Sequence, residues 1–223
     1  MSGTPLSDDD IVALRRALHA ERPLDKSLAI HLAALAHDAA ALLVPDLTAL
    51  LVSDEYVPCT SLKHEFSGHD LIAFSAMQAI ESIGMPPEIE TLRTLLADRR
   101  VFELPEASYD QGAYIGDYGT DYVAPAALAA RLVPMLGTDG FVLAPDLATN
   151  ALADQEIIWK SAILSLGRIS RLVNEATQER RELLVRAVLR LIGLPEAIRP
   201  TTHRGFELRD LGRLMRSQLS KRA

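Results

Sequence analysis

The chain is poor in the residues that form covalent cross-links or large aromatic cores. Its 223 residues include one cysteine, Cys59, and only 5% of them are Phe, Trp or Tyr. A single cysteine excludes an internal disulfide and a cysteine-based zinc cluster. With so few aromatic side chains, the core has to be built mainly from Leu, Ala, Ile and Val, a composition that suits closely packed helices.

Long apolar runs and targeting signals are also lacking. No uninterrupted apolar run approaches the roughly 20 residues that cross a bilayer. The opening MSGTPLSDDD has neither a basic n-region nor a hydrophobic h-region. The composition, 48% apolar and 24% charged, is typical of a folded globular protein. We therefore expect a cytoplasmic protein that does not associate with membranes.

Motifs for common cofactors are missing as well. Gly112, Gly116 and Gly119 lack the Lys-Ser/Thr ending and the strand–helix context of a phosphate-binding loop. No G-x-S-x-G nucleophile elbow occurs. We expect no cofactor and assign no catalytic residue.

Helical periodicity is the strongest positive signal. In DLIAFSAMQAIESIG, residues 70–84, apolar side chains recur at three- and four-residue steps from Asp70 and stop at Gly84. The pattern recurs in EIIWKSAILSLGRIS, residues 156–170, and more weakly in residues 121–137 and 182–193. Proline-led helices come before and after residues 70–84, the first with Leu47, Leu50 and Leu51 on one stripe and the second with Leu92, Leu95 and Leu96.

A proline-led outer helix that alternates with a small-residue inner helix ending at Ile-Gly resembles a HEAT-type helical repeat. The resemblance covers about residues 25–195 and implies architecture only. It predicts an all-α protein, a short right-handed α-solenoid of about four to five HEAT-like helix pairs, in a single domain over residues 1–223. A non-repeating helical bundle is the alternative interpretation.

Both ends of the predicted solenoid have helical signals. Ser7 is a suitable N-cap, and acidic residues fill the following turn, so residues 7–22 are predicted to form a capping helix. A second helix, from Asp25 to about residue 42, is apolar over most of its circumference and is expected to pack on both sides. Residues 205–221 are predicted to form a basic C-terminal helix.

Residues 101–124 break the helical pattern and form a predicted loop insertion. Four of the five tyrosines lie there among acidic residues, with no base between Val101 and Pro125. Tyrosine offers a large, rigid contact area and a hydroxyl group, which suits a binding surface. Alternatively, the tyrosines fold back and only pack. The predicted partner-binding residues are Tyr109, Asp110, Tyr114, Asp117, Tyr118, Asp121 and Tyr122.

Charge is unevenly distributed along the chain. Residues 1–158 hold 9 Lys and Arg against 24 Asp and Glu, a net charge of −15, whereas residues 159–223 hold 14 against 6, a net charge of +8. This distribution predicts a partner protein with a basic surface. The predicted function is a non-enzymatic protein-interaction module, an adaptor, regulator or neutraliser that binds through the concave face and the loop.

Two other functions remain open. One is nucleic-acid binding through the basic C-terminal third, which the acidic remainder disfavours. The other is a metal-dependent enzyme. SLKHE resembles the His-Glu dyads of HEAT-repeat hydroxylases of the deoxyhypusine type, and AALAHDA resembles the His-Asp core of metal-dependent phosphohydrolases. The residues of that alternative are His37, Asp38, His64, Glu65 and His69.

Overall fold

The structure, a computed structural model, describes residues 6–60, 67–103 and 122–221, with only the backbone for residues 58–60, 67–70, 103 and 122. The described chain is mainly α-helical, which confirms the predicted all-α class, and it adds two short antiparallel strand pairs. It divides into two compact units. Unit 1 comprises residues 1–87 and 100–128, and unit 2 comprises residues 88–99 and 129–223.

Unit 1 begins with the predicted N-terminal helix, α1 (Asp8–Leu18). The Ser7 hydroxyl accepts a hydrogen bond from the Asp10 backbone N–H, and the Asp10 carboxylate accepts one from the Ser7 N–H at 2.9 Å. This capping box satisfies two backbone donors at the start of the helix. Ile11, Leu14 and Leu18 are buried, so α1 presents one apolar face to unit 1.

The second helix is shorter than predicted. α2 (Pro23–Ala36) ends where His37 adopts φ 50° and ψ −133°, angles that do not continue an α-helix. A 3-10 segment (His37–Leu43) follows, then α3 (Val44–Ala49) and a further 3-10 turn (Leu50–Val52). The buried side of α2 packs against α4, which is described next.

A hairpin that the sequence analysis did not predict precedes α4. β1 (Tyr56–Thr60) pairs antiparallel with β2 (Ser67–Leu71), and α4 (Ile72–Ile83) follows directly. The prediction that Asp70 opens this helix was wrong, because Asp70 pairs with Val57 in the strand ladder. Gly84, at φ 78°, ends α4 as predicted.

The remaining elements run through α5 to α11. The inserted segment lies between two short paired strands, and the predicted basic C-terminal helix is present as α11. In chain order the elements are α5 (Ile89–Ala97), β3 (Phe102–Glu103), β4 (Tyr122–Val123), α6 (Pro125–Leu132), a 3-10 segment (Val133–Leu143), α7 (Ala144–Asn150), α8 (Glu156–Ser170), α9 (Gln178–Ile192), α10 (Pro195–Ile198) and α11 (His203–Ser220).

An internal repeat becomes visible once the elements are known. Residues 23–55 align without gaps with residues 123–155, so that LVPDL at 43–47 matches LAPDL at 143–147. His37 aligns with Gly137, whose φ of 59° and ψ of −133° are nearly the same as those of His37. The predicted correspondence of residues 121–137 with α4 was therefore out of register, because this stretch corresponds to α2.

The repeat also includes the preceding helix. IVALRRAL at 11–18 in α1 matches IETLRTLL at 89–96 in α5, and the shared leucines, Leu14 and Leu92 among them, are buried in both. The block that recurs is therefore four helices long, α1 to α4 in the first copy and α5 to α8 in the second.

The same ion pair recurs in both copies. The Arg15 Nε donates to Asp46 Oδ2 at 2.9 Å, and the equivalent Arg93 Nε lies 3.5 Å from Asp146 Oδ2. In the first copy His19 Nε2 adds a contact of 2.9 Å to Asp46 Oδ1. Burial raises the pKa of Asp46, but the hydrogen bonds from Arg15 and His19 outweigh it, so this pKa lies below its ordinary value.

Two helical stretches, Pro23–Val52 and Pro125–Asn150, are long and apolar enough to cross a membrane by length and composition. Core helices pass the same test, and two such stretches are weak evidence for a membrane protein. A residue with positive φ interrupts each stretch, at His37 and at Gly137. The cytoplasmic location therefore stays a prediction.

Candidate interaction surface

Most of the predicted binding loop lies outside the described residues. Tyr109, Asp110, Tyr114, Asp117, Tyr118 and Asp121 belong to that part of the chain. Tyr122 is described at its backbone, where it pairs with Glu103. That pairing brings the two ends of the inserted segment together at one strand pair. The role of the loop in partner binding stays a prediction.

The alternative metal residues are only partly described. His64 and Glu65 lie outside the described residues, and His69 is described only as part of the β2 backbone. His37 and Asp38 occupy adjacent positions at the start of the 3-10 segment. In the described part of the chain, no group of three or more His, Cys, Asp or Glu side chains could hold a metal ion.

His37 instead joins the ends of two helices. Its Nδ1 lies 3.2 Å from the Ser82 carbonyl oxygen and 3.3 Å from the Ser82 hydroxyl. Because a carbonyl oxygen can only accept, Nδ1 carries the proton. The Ser82 hydroxyl in turn donates to the Ala34 carbonyl at 2.9 Å. Both carbonyls belong to the last turns of their helices, and the Ala34 carbonyl also accepts a hydrogen bond from the His37 backbone N–H, so this network ties the end of α2 to the end of α4.

A row of exposed leucines is the most conspicuous surface of unit 1. Leu24, Leu28, Leu32 and Leu35 follow one another at steps of four, four and three along α2, so they share one helical face. Leu42 in the next segment is exposed as well. These five side chains, here called the leucine face, are between 46% and 72% exposed.

This exposure contradicts the expectation that α2 packs on both sides. The opposite side of the helix, with Ala29, Ile30 and Ala33, is buried, and α2 contacts α4. The helix cannot turn to hide its leucines without exposing those buried residues. Sequence reasoning missed the surface because both sides of the helix are apolar and periodicity alone does not say which side has a partner.

The second copy of the repeat differs at the equivalent positions. Ala124, Leu128 and Leu132 align with Leu24, Leu28 and Leu32, and all three are buried. Met135 and Val142, which align with Leu35 and Leu42, are half-buried, so all five positions are less exposed in the second copy than in the first.

The extent of the leucine face also sets it apart. Singly exposed hydrophobic side chains are normal on protein surfaces. Taking roughly 180 Å² for a fully exposed leucine, the five side chains together expose about 500 Å², which is near the upper end of the largest patches on monomeric proteins. Patches of that size commonly mark binding sites.

Charge differs between the two compact units. Unit 1 holds 6 Lys and Arg against 17 Asp and Glu, a net charge of −11, and unit 2 holds 17 against 13, a net charge of +4. The asymmetry seen along the sequence thus follows the division of the chain into units.

Unit 2 has a basic helical face on α11. Arg209, Arg213 and Arg216 are exposed and lie three or four residues apart, opposite the buried Leu208, Leu211 and Met215, and Arg213 pairs with Asp210 at 2.8 Å.

Nearby, the only tryptophan has a packing role. Trp159 on α8 is 5% exposed, the Arg204 guanidinium carbon lies 5.2 Å from its ring centroid, and the His203 ring meets it edge-on at 5.5 Å.

Comparison with known proteins adds no relative: no protein-family model matches the chain, and a search of curated proteins found no match.

Proposed function

We propose that this chain is a non-enzymatic protein-interaction module whose partner is a protein with a basic surface. The observation that carries the proposal is the division of charge between the compact units, −11 in unit 1 and +4 in unit 2. An acidic unit of this kind attracts a basic partner and raises the rate of encounter. An adaptor, a regulator and a neutraliser of a basic effector all fit this description.

Charge alone does not hold a complex together, because free ions screen exposed charges beyond about 8 Å at physiological salt. Contact residues are therefore required. We assign that role to the tyrosines of residues 101–124, with Tyr114, Tyr118 and Tyr122 as anchors. Asp110, Asp117 and Asp121 would steer the partner towards them.

We also propose that the helices stack as HEAT-like pairs in a right-handed solenoid with a concave binding face. The four-helix block that recurs along the chain supports this arrangement, as do the contacts of α2 with α4 and of α7 with α8 inside their units. Solution X-ray scattering tests it. A solenoid gives a radius of gyration clearly above the about 17 Å expected for a compact chain of this length.

The binding test compares two variants with the same change in charge. One replaces Asp110, Asp117 and Asp121 with Asn. The matched control neutralises three acids of unit 2, Asp154, Glu175 and Glu179. Each protein is immobilised and exposed to lysate of the native host, and captured proteins are identified by mass spectrometry. We expect the wild type and the control to capture a basic protein that the loop variant loses.

Deletion of residues 105–122 completes this experiment. We expect it to abolish capture while helicity and the melting temperature stay nearly unchanged. If the deletion unfolds the protein, the loop has a packing role and the recognition proposal is wrong. Capture that survives in the loop variant and disappears in the control would contradict the proposal equally.

The exposed arginines of α11 favour nucleic-acid binding as a second candidate function. Fluorescence anisotropy with a labelled DNA duplex tests it against a variant with Arg209 and Arg216 replaced by Ala. Binding that weakens steeply with salt and is lost in the variant would establish this function.

The third candidate function is a metal-dependent enzyme. Its metal ligands would be His37, Asp38, His64, Glu65 and His69, and no contact among the described residues supports it. Metal analysis of protein purified without a tag decides it, because this enzyme requires near-stoichiometric iron, manganese or zinc.

A further inference from the structure

We infer that the leucine face of α2 is a homotypic interface, at which α2 packs antiparallel against α2 of a second copy of this chain. The inference concerns a different surface from the predicted loop and does not depend on the proposed function. It rests on the pattern of the leucines, on the charges around them, on their exposed area and on the second copy of the repeat.

The row of leucines is its own complement when it is turned end for end. Rotation about a point midway between Leu28 and Leu32 places Leu28 opposite Leu32 of the other chain and Leu24 opposite Ala36, the residue next to Leu35. A twofold axis at this point therefore brings Leu28 against Leu32 at the centre and leaves Leu24 and Leu35 of the two copies one residue out of register, close enough for their side chains to pack.

Charged groups around α2 do not oppose this contact. Arg22 Nε lies 3.9 Å from Asp25 Oδ2, and Lys26 Nζ lies 2.5 Å from Glu55 Oε2, so the charges of α2 and of its N-cap are matched by opposite charges of the same unit, while Asp38, which follows α2, is exposed. The leucine face itself carries no charge. Although unit 1 as a whole is acidic, the leucines through which two copies of α2 meet are uncharged.

The available area fits a pair of identical chains. The four leucines of α2 expose about 400 Å² in each copy, so they supply about 800 Å² in total, and the exposed Leu42 and other flanking side chains have to contribute the rest of the roughly 1,000 Å² that a specific interface needs. A second copy provides the same area in the same shape, so it covers the entire row.

The second copy of the repeat shows that this face tolerates full burial. Leu128 and Leu132 keep the identity of Leu28 and Leu32 and are buried. Leucine at these positions is therefore compatible with close helix packing, and in the first copy the equivalent pair is left available to a partner.

The experiment measures molecular mass by sedimentation velocity over a protein concentration range of roughly 1 to 100 µM, which brackets micromolar affinity. The test variant carries Leu28→Glu and Leu32→Glu. The matched control carries Leu164→Glu and Leu189→Glu, which replace two exposed leucines of unit 2. Because all four positions are exposed, each variant is expected to fold, and circular dichroism checks this.

We expect the wild type and the control to form a dimer and the test variant to be monomeric, with a dissociation constant raised by at least about 100-fold. Single cysteines then test the orientation in a Cys59→Ser background. A mixture of Leu28→Cys and Leu32→Cys chains should form the mixed disulfide faster than either like pair. A parallel arrangement would favour the like pairs and overturn the antiparallel assignment.

Three results would overturn the interface itself. These are a wild-type monomer at every concentration, a dimer that survives both glutamates, and a monomer that binds phosphatidylcholine–phosphatidylserine vesicles in a way the glutamates abolish. The capture experiment with the Asp110, Asp117 and Asp121 variant is read independently, so failure of the dimer leaves the proposed function to its own test.

Discussion

The backbone at His37 allows a quantitative test of the repeat. His37 and Gly137 share a conformation in which φ is positive and ψ is close to −133°, a region that glycine enters readily and other residues enter at a cost. The substitutions His37→Ala and His37→Gly, together with Gly137→Ala, measure this cost twice in one protein. Both sites lie at the end of the second helix of the repeat.

The magnitudes follow from the contacts at each site. A residue other than glycine in this conformation costs about 1–3 kcal/mol, and glycine costs about 0.5–1 kcal/mol more chain entropy on folding. The His37→Gly variant should therefore be about 1 kcal/mol more stable than the His37→Ala variant, the reverse of the usual helical preference. Both variants lose the hydrogen bond from His37 Nδ1 to the Ser82 carbonyl, so His37→Ala should be about 1 kcal/mol less stable than the wild type.

Gly137→Ala isolates the strain. No atom lies within 4 Å of a Cβ added at Gly137, so a collision does not contribute. The substitution should cost about 1 kcal/mol, which matches the difference between the glycine and alanine variants of His37 because the backbone angles match.

Urea unfolding followed by two signals measures both effects. Trp159, the only tryptophan, reports unit 2 by fluorescence, whereas circular dichroism reports helices in both units. Separate transitions are analysed separately, because one free energy of unfolding is defined only for a two-state transition. If His37→Ala is more stable than His37→Gly, or if the differences at the two sites have opposite signs, the inferred strain is wrong.

Four further substitutions test individual contacts. The pKa of Asp46 is lowered in the folded protein, so its ionised carboxylate stabilises unit 1 above about pH 4, and this stabilisation is lost as the pH falls through the lowered pKa. Asp46→Asn should remove this part of the stability, and urea unfolding at a series of pH values measures the loss. Asn150→Ala should cost about 1–3 kcal/mol in unit 2, because the buried Leu96 carbonyl loses its donor at 2.9 Å, and Trp fluorescence during unfolding measures the loss. Gly84→Ala should cost about 1 kcal/mol by circular dichroism, because φ is 78° with open space around the added Cβ. Phe141→Ala should cost about 3–5 kcal/mol in unit 2, because this side chain is fully buried, and the same fluorescence transition measures it.

Periodicity predicted the helices well where each one has a single apolar face and recognisable ends. α4 stops at Gly84 and α5 buries Leu92 and Leu96, as their spacing indicates. The end of α2 was predicted several residues too late. Its apolar pattern continues past Ala36, and the helix nevertheless ends there because His37 takes a positive φ, which no local rule assigns to histidine.

The β1–β2 hairpin was missed for a different reason. Its strands pair across residues 61–66, so the pairing depends on a contact that is not local in sequence, and neither strand has a regular alternation of apolar and polar side chains. The leucine face was missed because burial is a property of the neighbours of a helix. The four-helix repeat was missed because two connections differ in length between its copies. The α3–α4 connection is longer than its counterpart between α7 and α8, and the α5–α6 connection is longer than its counterpart between α1 and α2.

The two copies of the repeat provide an internal comparison between architecture and specialised surface. Pro45, Asp46 and Leu47 recur at 145–147, and the ion pair between Arg15 and Asp46 recurs as well, so these features belong to the architecture that the two copies share. Differences between the copies that leave the fold intact are not explained by this shared architecture and need a separate explanation. The first copy keeps a histidine in a conformation that suits glycine and keeps its leucines exposed to solvent. The histidine is explained by its bond to the end of α4, and the interface that we infer at α2 would explain the exposed leucines. An interface at α2 is therefore the most economical reason why the first copy departs from the second.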